Sequence, residues 1–120
     1  MPKKLVVLVD DDPDVLSSLD RLLKVSGFTT ETYSSGETFL ASDACFRAAC
    51  LVLDIHLGGI SGFDLNRQLL ASGLHVPIIF MTAFKDEAAQ QIAANASCIA
   101  FLHKPFPARD LIEAIEKAAA

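Results

Sequence analysis

The sequence predicts an α/β fold in which five parallel strands alternate with five helices. Apolar runs of four or five residues recur along the chain, and stretches long enough to form a helix separate them. Such runs are typical of parallel strands whose two faces are both covered by helices. The second observation is that four of these runs end at, or just before, an acidic, hydroxyl or basic residue. Because ligands of open α/β sheets bind at the carboxyl ends of the strands, we expect these polar side chains to meet at one edge.

The five predicted strands differ in how strongly the sequence marks them. Four are apolar runs, whereas the second is rich in threonine and aromatic residues and is expected to be more exposed. In chain order the strands are predicted over residues 5–9, 28–33, 50–54, 78–82 and 98–102.

Five helices are predicted from capping signals and from apolar residues at helical spacing. Asp12 and Pro13 provide the N-cap and the first residue of the first helix, and Gly27 ends it. The fourth helix is rich in alanine, with Ile92 as its large apolar anchor. In chain order the helices are predicted over residues 13–26, 37–42, 63–72, 86–95 and from 107 onward.

Length and composition limit the classes of protein to consider. The chain has 120 residues, of which 52% are hydrophobic, and a net charge of −5 at pH 7. These values predict one folded domain over residues 1–120 and argue against a nucleic-acid or anionic membrane surface. We find neither a signal peptide nor an apolar run of membrane-spanning length. The three cysteines lack a CxxC spacing, which favours reduced thiols and a cytoplasmic location.

Acidic residues at the ends of the first and third strands predict a site for a divalent cation. Asp10 and Asp11 follow the first strand, and Asp54 ends the third. Adjacent carboxylates repel one another, and Mg²⁺ prefers oxygen ligands, often carboxylates together with a phosphate. We expect Asp11 and Asp54 to bind Mg²⁺ directly, and Asp10 directly or through water. Asp12 and Asp14 are better explained as a helix cap and a first-turn acid.

The other strand ends add groups that handle phosphate. An aspartate such as Asp54 can attack phosphorus and form an aspartyl phosphate. Lys104 would then neutralise charge on the transferring group, and Thr82 could donate a hydrogen bond to it. Taken singly, Thr82 also fits a strand-end cap and Lys104 an ordinary solvated side chain. Together at successive strand ends, these residues predict phosphoryl transfer.

This set of motifs resembles the receiver domain of two-component response regulators over essentially the whole chain. The resemblance rests on the acid pair Asp10-Asp11, the acceptor position Asp54, Thr82, Phe101 and the Lys104-Pro105 dipeptide. It implies a flavodoxin-like, doubly wound five-stranded parallel sheet with strand order 2-1-3-4-5. It also implies that the backbone carbonyl of His56 completes the Mg²⁺ site, and that the Lys104-Pro105 peptide bond is cis.

The resemblance extends to partners and to the response. Leu-Asp-Ile-His-Leu at residues 53–57 and Ser-Gly-Phe-Asp-Leu at residues 61–65 are similar to receivers that precede LuxR-type helix-turn-helix domains. A sensor histidine kinase as phosphodonor is implied, with self-phosphorylation and self-dephosphorylation as the chain's only reactions and an effector domain outside this sequence. Thr82 and Phe101 would rearrange on phosphorylation, although Phe101 also fits a plain core aromatic. The surface of the fourth helix, last strand and last helix would then contact an output or form a homodimer.

Two departures from the family's pattern bear on the chemistry. Gly58 and Gly59 stand where many receivers carry a proline, and two glycines widen the conformations open to this loop. Phe84 places a bulky apolar side chain two residues after Thr82, where attacking water is controlled. We expect Phe84 to slow self-dephosphorylation, and an unchanged rate in Phe84→Ala would contradict this.

Two other functions fit parts of the pattern. The apolar strand and DxD opening at residues 8–12 are similar to those of haloacid-dehalogenase-type phosphatases, with Asp10 as the nucleophile. Those enzymes need a further acidic pair after the lysine, and here Asp110 and Glu113 follow on a predicted helix. The other alternative is an interaction module that has the receiver fold and accepts no phosphate. The complete set of acids, threonine and lysine argues against it.

Overall fold

The computed structural model describes residues 4–83, 91 and 98–119, and its strands form one parallel sheet. The strands are β1 (Leu5–Val9), β2 (Thr29–Tyr33), β3 (Cys50–Asp54), β4 (Ile78–Thr82) and β5 (Ala100–His103). They are arranged in the order β2-β1-β3-β4-β5, which confirms the predicted topology. The last strand begins two residues later than predicted, because its pairing with β4 starts at Ala100 opposite Ile79.

Five helices lie among the described residues. They are α1 (Pro13–Val25), α2 (Gly36–Leu40), α3 (Ala44–Arg47), α4 (Gly62–Ala71) and α5 (Ala108–Ala118). Four of them confirm predicted helices, whereas α3 was not predicted, since four residues are too few for a periodic pattern. The predicted helix over residues 86–95 lies outside the described residues except for Gln91, which is helical. No helix of the described ranges is long and apolar enough to cross a membrane.

The helices cover both faces of the sheet, so the inner strands are buried on both sides. Successive side chains of a strand point to opposite faces. On one face, Phe39 of α2 and Leu65 of α4 pack against the sheet. On the other face, Leu23 of α1 and Ile115 of α5 do so. Each of these four side chains is fully buried, and such burial stabilises the fold by about 1.5–3 kcal/mol per side chain.

Local signals fix where α1 begins and ends, and thereby place the acidic loop that precedes it. Asp12 is the N-cap, and its side chain accepts hydrogen bonds from the backbone N–H groups of Asp14 and Val15 at 2.9 and 3.4 Å. Pro13 is the first helical residue, and Gly27 follows the helix with φ of 96°. These observations confirm the predicted cap and stop.

The edge strand β2 is more exposed than the three inner strands, as predicted. Arg47 of α3 donates hydrogen bonds to both carboxylate oxygens of Glu31 in β2, at 2.6 and 2.9 Å, and also contacts Asp43. Tyr33 donates a hydrogen bond to the same glutamate at 2.8 Å. The short helix α3 is thus held to the edge of the sheet by a cluster of polar contacts.

Candidate functional site

Three predicted aspartates meet at the carboxyl edge of the sheet. Val9 of β1 lies opposite Leu53 of β3, so the residues that follow them, Asp10 and Asp54, are neighbours. One oxygen from each of Asp10, Asp11 and Asp54 lies within 4.8 Å of the others. The side chain of Asp11 is exposed, whereas Asp10 is 0% and Asp54 6% exposed.

Lys104 joins two of these carboxylates. Its Nζ donates hydrogen bonds to Oδ2 of Asp10 at 2.6 Å and to Oδ2 of Asp54 at 2.9 Å. The backbone N–H of Lys104 donates to the carbonyl of Thr82 at 2.7 Å, which fixes the start of the loop after β5. The peptide bond to Pro105 is cis, as the resemblance implied. Lys104 is therefore a fixed partner of the acids and not an ordinary solvated lysine.

The second oxygen of each buried aspartate is held by backbone. Oδ1 of Asp10 accepts the N–H of Asp12 at 2.9 Å, and Oδ1 of Asp54 accepts the N–H of His56 at 2.8 Å. Each carboxylate therefore has one oxygen fixed by the main chain and the other directed toward Lys104. This arrangement orients both side chains before any ligand is bound.

The electrostatics of the cluster favour a cation. Burial raises the pKa of Asp10 above its ordinary value, although hydrogen bonds from Lys104 and from the Asp12 N–H oppose the shift. Burial also disfavours the ammonium of Lys104, but hydrogen bonds to Asp10 and Asp54 outweigh this effect and raise its pKa. The three carboxylates and the ammonium of Lys104 together carry a formal charge of −2, and the carboxylates offer only oxygen atoms as ligands. The donor set therefore fits Mg²⁺, which prefers such ligands.

Thr82 lies on β4, the strand next to β3, and Phe101 lies on β5, the edge strand beyond β4. Thr82 ends β4 and is fully buried, and it lies opposite His103 of β5. Phe101 lies opposite Phe80 and packs, partly buried, against the core on the α2 and α4 face. The core explanation of Phe101 therefore holds, and its part in a switch stays a prediction. Phe84 lies outside the described residues.

Two residues near Asp54 were not singled out from the sequence. Gly62 begins α4, and a Cβ there would lie 2.6 Å from the carbonyl oxygen of Asp54. Glu37 of α2 contacts the loop after Asp54, and its carboxylate accepts the N–H of Ile60 at 3.3 Å. A glycine at a helix start can be recognised in the sequence, whereas a contact between residues 37 and 60 has no sequence signal.

Comparison with known proteins places this geometry in a family. The model of the response regulator receiver domain matches residues 6–116. The chain belongs to the response regulator receiver family. It is a signalling domain of two-component systems, as the acid pair, Asp54, the threonine and the lysine indicated.

Curated relatives of this receiver are longer proteins. Response regulator protein TmoT of Ectopseudomonas mendocina is 34% identical over 116 residues, which make up 97% of this chain and 53% of that protein. Transcriptional regulatory protein FixJ of Azorhizobium caulinodans is 35% identical over 116 residues, 96% of this chain and 55% of that protein. The receiver thus spans about half the length of the curated relatives it matches.

Solved structures confirm the receiver fold. Response regulator StyR superposes with a TM-score of 0.90 at 40% identity, covering 98% of this chain and 60% of that one. The structure of FixJ-N superposes with a TM-score of 0.90 at 34% identity, covering 99% of this chain and 95% of that one. The flavodoxin-like sheet predicted from the sequence is therefore correct.

Proposed function

We propose that this receiver accepts a phosphoryl group on Asp54 from the phosphohistidine of a sensor kinase, in a reaction that requires Mg²⁺. The observation that carries the proposal is the setting of the Asp54 carboxylate. It is almost fully buried, one oxygen is held by the His56 N–H, and the other by Lys104. Asp10 and Asp11 lie beside it as further oxygen ligands. A preorganised carboxylate next to a cation site has the features that a phosphoryl acceptor needs.

The transfer is a substitution at phosphorus. One oxygen of Asp54 forms a bond to phosphorus while the bond from phosphorus to the donor's imidazole nitrogen breaks. The ammonium of Lys104 is then free to move its hydrogen bond from the carboxylate to a phosphoryl oxygen. Thr82, at the end of the neighbouring strand, donates a hydrogen bond from its hydroxyl group to another phosphoryl oxygen. We attribute the signal to a movement of Thr82 toward the phosphoryl group and to an accompanying rearrangement of Phe101.

Asp10, Asp11, Asp54 and the backbone carbonyl of His56 would hold the Mg²⁺. When bound, the metal supplies positive charge that offsets the negative charge of the carboxylates and of the incoming phosphoryl oxygens. Asp54 alone of these residues bonds to phosphorus, and Asp10 and Asp11 act only as ligands. Self-dephosphorylation, the attack of water on the aspartyl phosphate, completes the cycle.

A groove beside the site would admit the donor protein. It has a volume of about 640 Å³, lies between α1 and the segment that follows β5, and borders Lys104. Val15, Leu19 and Phe106 contribute to its mainly apolar lining. A helix of the kinase that presents its phosphohistidine toward Lys104 would find both an apolar surface and the acceptor there. The other partners of the receiver are inferred from its relatives.

The response would reach an effector domain of the kind found in longer transcriptional regulators, such as those named among the relatives. We place the switching and homodimer surface on residues 86–95, β5 and α5, of which only Gln91, β5 and α5 belong to the described part of the chain. The receiver itself would contact neither nucleic acid nor membrane. Cys45, Cys50 and Cys98 all belong to the described residues and form no disulfide, which is consistent with the cytoplasm, where sensor kinases transfer their phosphoryl groups.

Intact mass after incubation with acetyl phosphate and Mg²⁺ tests the proposal. We expect one added phosphoryl group in the native chain and none in Asp54→Asn. Asp110→Asn, an exposed change on α5, serves as the control and should label like the native chain. Omission of Mg²⁺, or Asp10→Asn, should slow labelling of the native acceptor.

The other outcomes point to the alternatives. Label retained in Asp54→Asn and lost in Asp10→Asn would support the phosphatase-like nucleophile. No label in any variant, together with no Mg²⁺ binding, would support an interaction module. Release of free phosphate from added phosphate esters, without a labelled chain, would also contradict the receiver chemistry.

A further inference from the structure

The loop that follows Asp54 is tied at its base and again at its outer side. At the base, Gly62 donates its N–H to the carbonyl of Ile55 at 3.3 Å. At the outer side, the N–H of Ile60 donates to the Glu37 carboxylate, 3.3 Å from Oε1 and 3.5 Å from Oε2. The second contact joins the loop to α2, which is otherwise remote from it in sequence.

Glycines let the helix and the loop approach closely. Gly59 has φ of +79°, and a Cβ there would lie 2.7 Å from Oε2 of Glu37. Gly36 is buried, and a Cβ there would lie 2.4 Å from Cγ2 of Ile60. The absence of a side chain at Gly36 therefore leaves room for the side chain of Ile60, while the Glu37 carboxylate accepts the backbone N–H of Ile60. The first two residues of α2 thus form a contact surface for residues 59 and 60.

This contact surface matters for the ordering of the loop because the loop is rich in glycine. Gly58 and Gly59 are adjacent, and each glycine loses more conformational entropy than any other residue when the chain is ordered. The same loop carries His56, whose backbone carbonyl is one of the proposed Mg²⁺ ligands. A ligand on a preordered loop binds more tightly, since less ordering remains to be done on binding.

We propose that Glu37 is a positioning residue that holds the loop in the conformation in which the His56 carbonyl joins the Mg²⁺ ligands. Glu37 itself lies outside the cluster formed by Asp10, Asp11 and Asp54. It acts through the Ile60 amide. The inference rests on the proposed function, because it assigns a regulating contact to the same metal site.

The charge of Glu37 offers a competing explanation, which the choice of variants separates. Glutamine at this position keeps an oxygen that can accept the Ile60 N–H and loses the charge, whereas alanine loses both. Glu116, exposed on α5 at the opposite face of the sheet, provides matched controls as Glu116→Gln and Glu116→Ala. Glu37→Leu repeats the alanine test with a side chain closer in size to glutamate and of similar helix propensity, so that a loss shared by both variants cannot be assigned to truncation of the side chain.

Two readouts are measured on the folded chain. Hydrogen exchange of the Ile60 amide, followed by NMR in EDTA, reports the contact without any metal. Titration with MgCl₂, followed by amide chemical shifts, gives the affinity for the metal alone. We expect Glu37→Ala and Glu37→Leu to lose protection at Ile60 and to bind Mg²⁺ about fivefold more weakly, the factor that one ordinary hydrogen bond provides. Glu37→Gln should stay within about twofold of the native chain, as should both Glu116 variants.

Three results would overturn the inference. Unchanged Ile60 exchange in Glu37→Ala would mean that the contact does not order the loop. Equal weakening in Glu37→Gln and Glu37→Ala would assign the effect to charge. Native Mg²⁺ affinity in Glu37→Ala, despite faster Ile60 exchange, would separate the loop from the metal site. Absence of Mg²⁺ binding by the native chain is distinguishable from all three, since it overturns the proposed function first.

Discussion

Replacing Lys104 with methionine tests the electrostatic balance of the site directly. Methionine keeps an unbranched side chain of similar length, with sulfur in place of one methylene, and lacks the ammonium. In the native chain that ammonium lies 2.6 Å from Asp10 and 2.9 Å from Asp54. In Lys104→Met the two buried carboxylates face each other, with Asp11 nearby and no positive partner among the residues that the structure describes. We expect the variant to be less stable than the native chain in EDTA.

The size of the loss follows from burial. At an effective dielectric constant of about 20, each contact represents a gross attraction of about 6 kcal/mol, most of which offsets the cost of removing the charges from water. Removal of one partner from a buried ion pair costs about 3–5 kcal/mol in measured cases. The Lys104 side chain retains 17% exposure, so we expect the lower end, about 3 kcal/mol. The loss should be smaller at acid pH, because the pKa of Asp10 rises further without the lysine and its protonated form relieves the repulsion.

Urea unfolding at neutral pH, with EDTA or with saturating MgCl₂, measures both parts of the prediction. Mg²⁺ should stabilise Lys104→Met by more than it stabilises the native chain, since it neutralises carboxylates that the lysine no longer contacts. Lys117→Met, which removes an exposed lysine at the end of α5, is the control and should change stability little. Native stability of Lys104→Met in EDTA, or an equal gain from Mg²⁺ in both proteins, would refute the reasoning.

Further predictions concern the fold around the site. Gly62→Ala should cost about 1–3 kcal/mol in urea unfolding because its Cβ meets backbone, whereas Gly58→Ala, with nothing closer than 4.0 Å, should cost less; equal costs would contradict the close approach. Hydrogen bonds from Arg47 and Tyr33 hold the pKa of Glu31 below its ordinary value. The stability that this lowered pKa provides is present above the ordinary pKa of glutamate and is lost as pH falls through the lowered one. Arg47→Ala should therefore make the urea midpoint depend less steeply on pH over this acid range, and an unchanged pH dependence would disprove the link. Burial raises the pKa of the Cys50 thiol to about 12, so mass spectrometry should find Cys50 unalkylated until the chain unfolds, and its modification in the native state would count against that burial.

Much of the fold follows from signals that are local in the sequence. The apolar runs mark the inner strands because both of their faces are buried, and Asp12 with Pro13 marks a helix start through its own backbone contacts. The acids at the strand ends could be combined into one site because parallel strands carry their carboxyl ends to one edge. The family then supplied the strand order, which pattern alone leaves open.

The parts that escaped prediction depend on contacts between distant residues. The short helix α3 is held by Arg47 against Glu31, sixteen positions away, and has too few residues for a periodic signal. The start of β5 was set by its pairing with β4, and not by the apolar run that begins at Cys98. The contact of Glu37 with Ile60 likewise depends on how α2 sits over the loop. The local sequence of α2 or of the loop gives no signal for such a contact.

The two hydrogen bonds of Lys104 span separations of 94 and 50 residues along the chain. They therefore connect the ends of β1, β3 and the partly buried edge strand β5, which come together only in the finished sheet. If β5 detaches, its lysine leaves with it, and like charges remain at the ends of β1 and β3. Pairing of β5 at the edge of the sheet and assembly of the site then occur together. The initial rate of phosphoryl uptake would accordingly serve as a gauge of the fraction of molecules in which the sheet is complete.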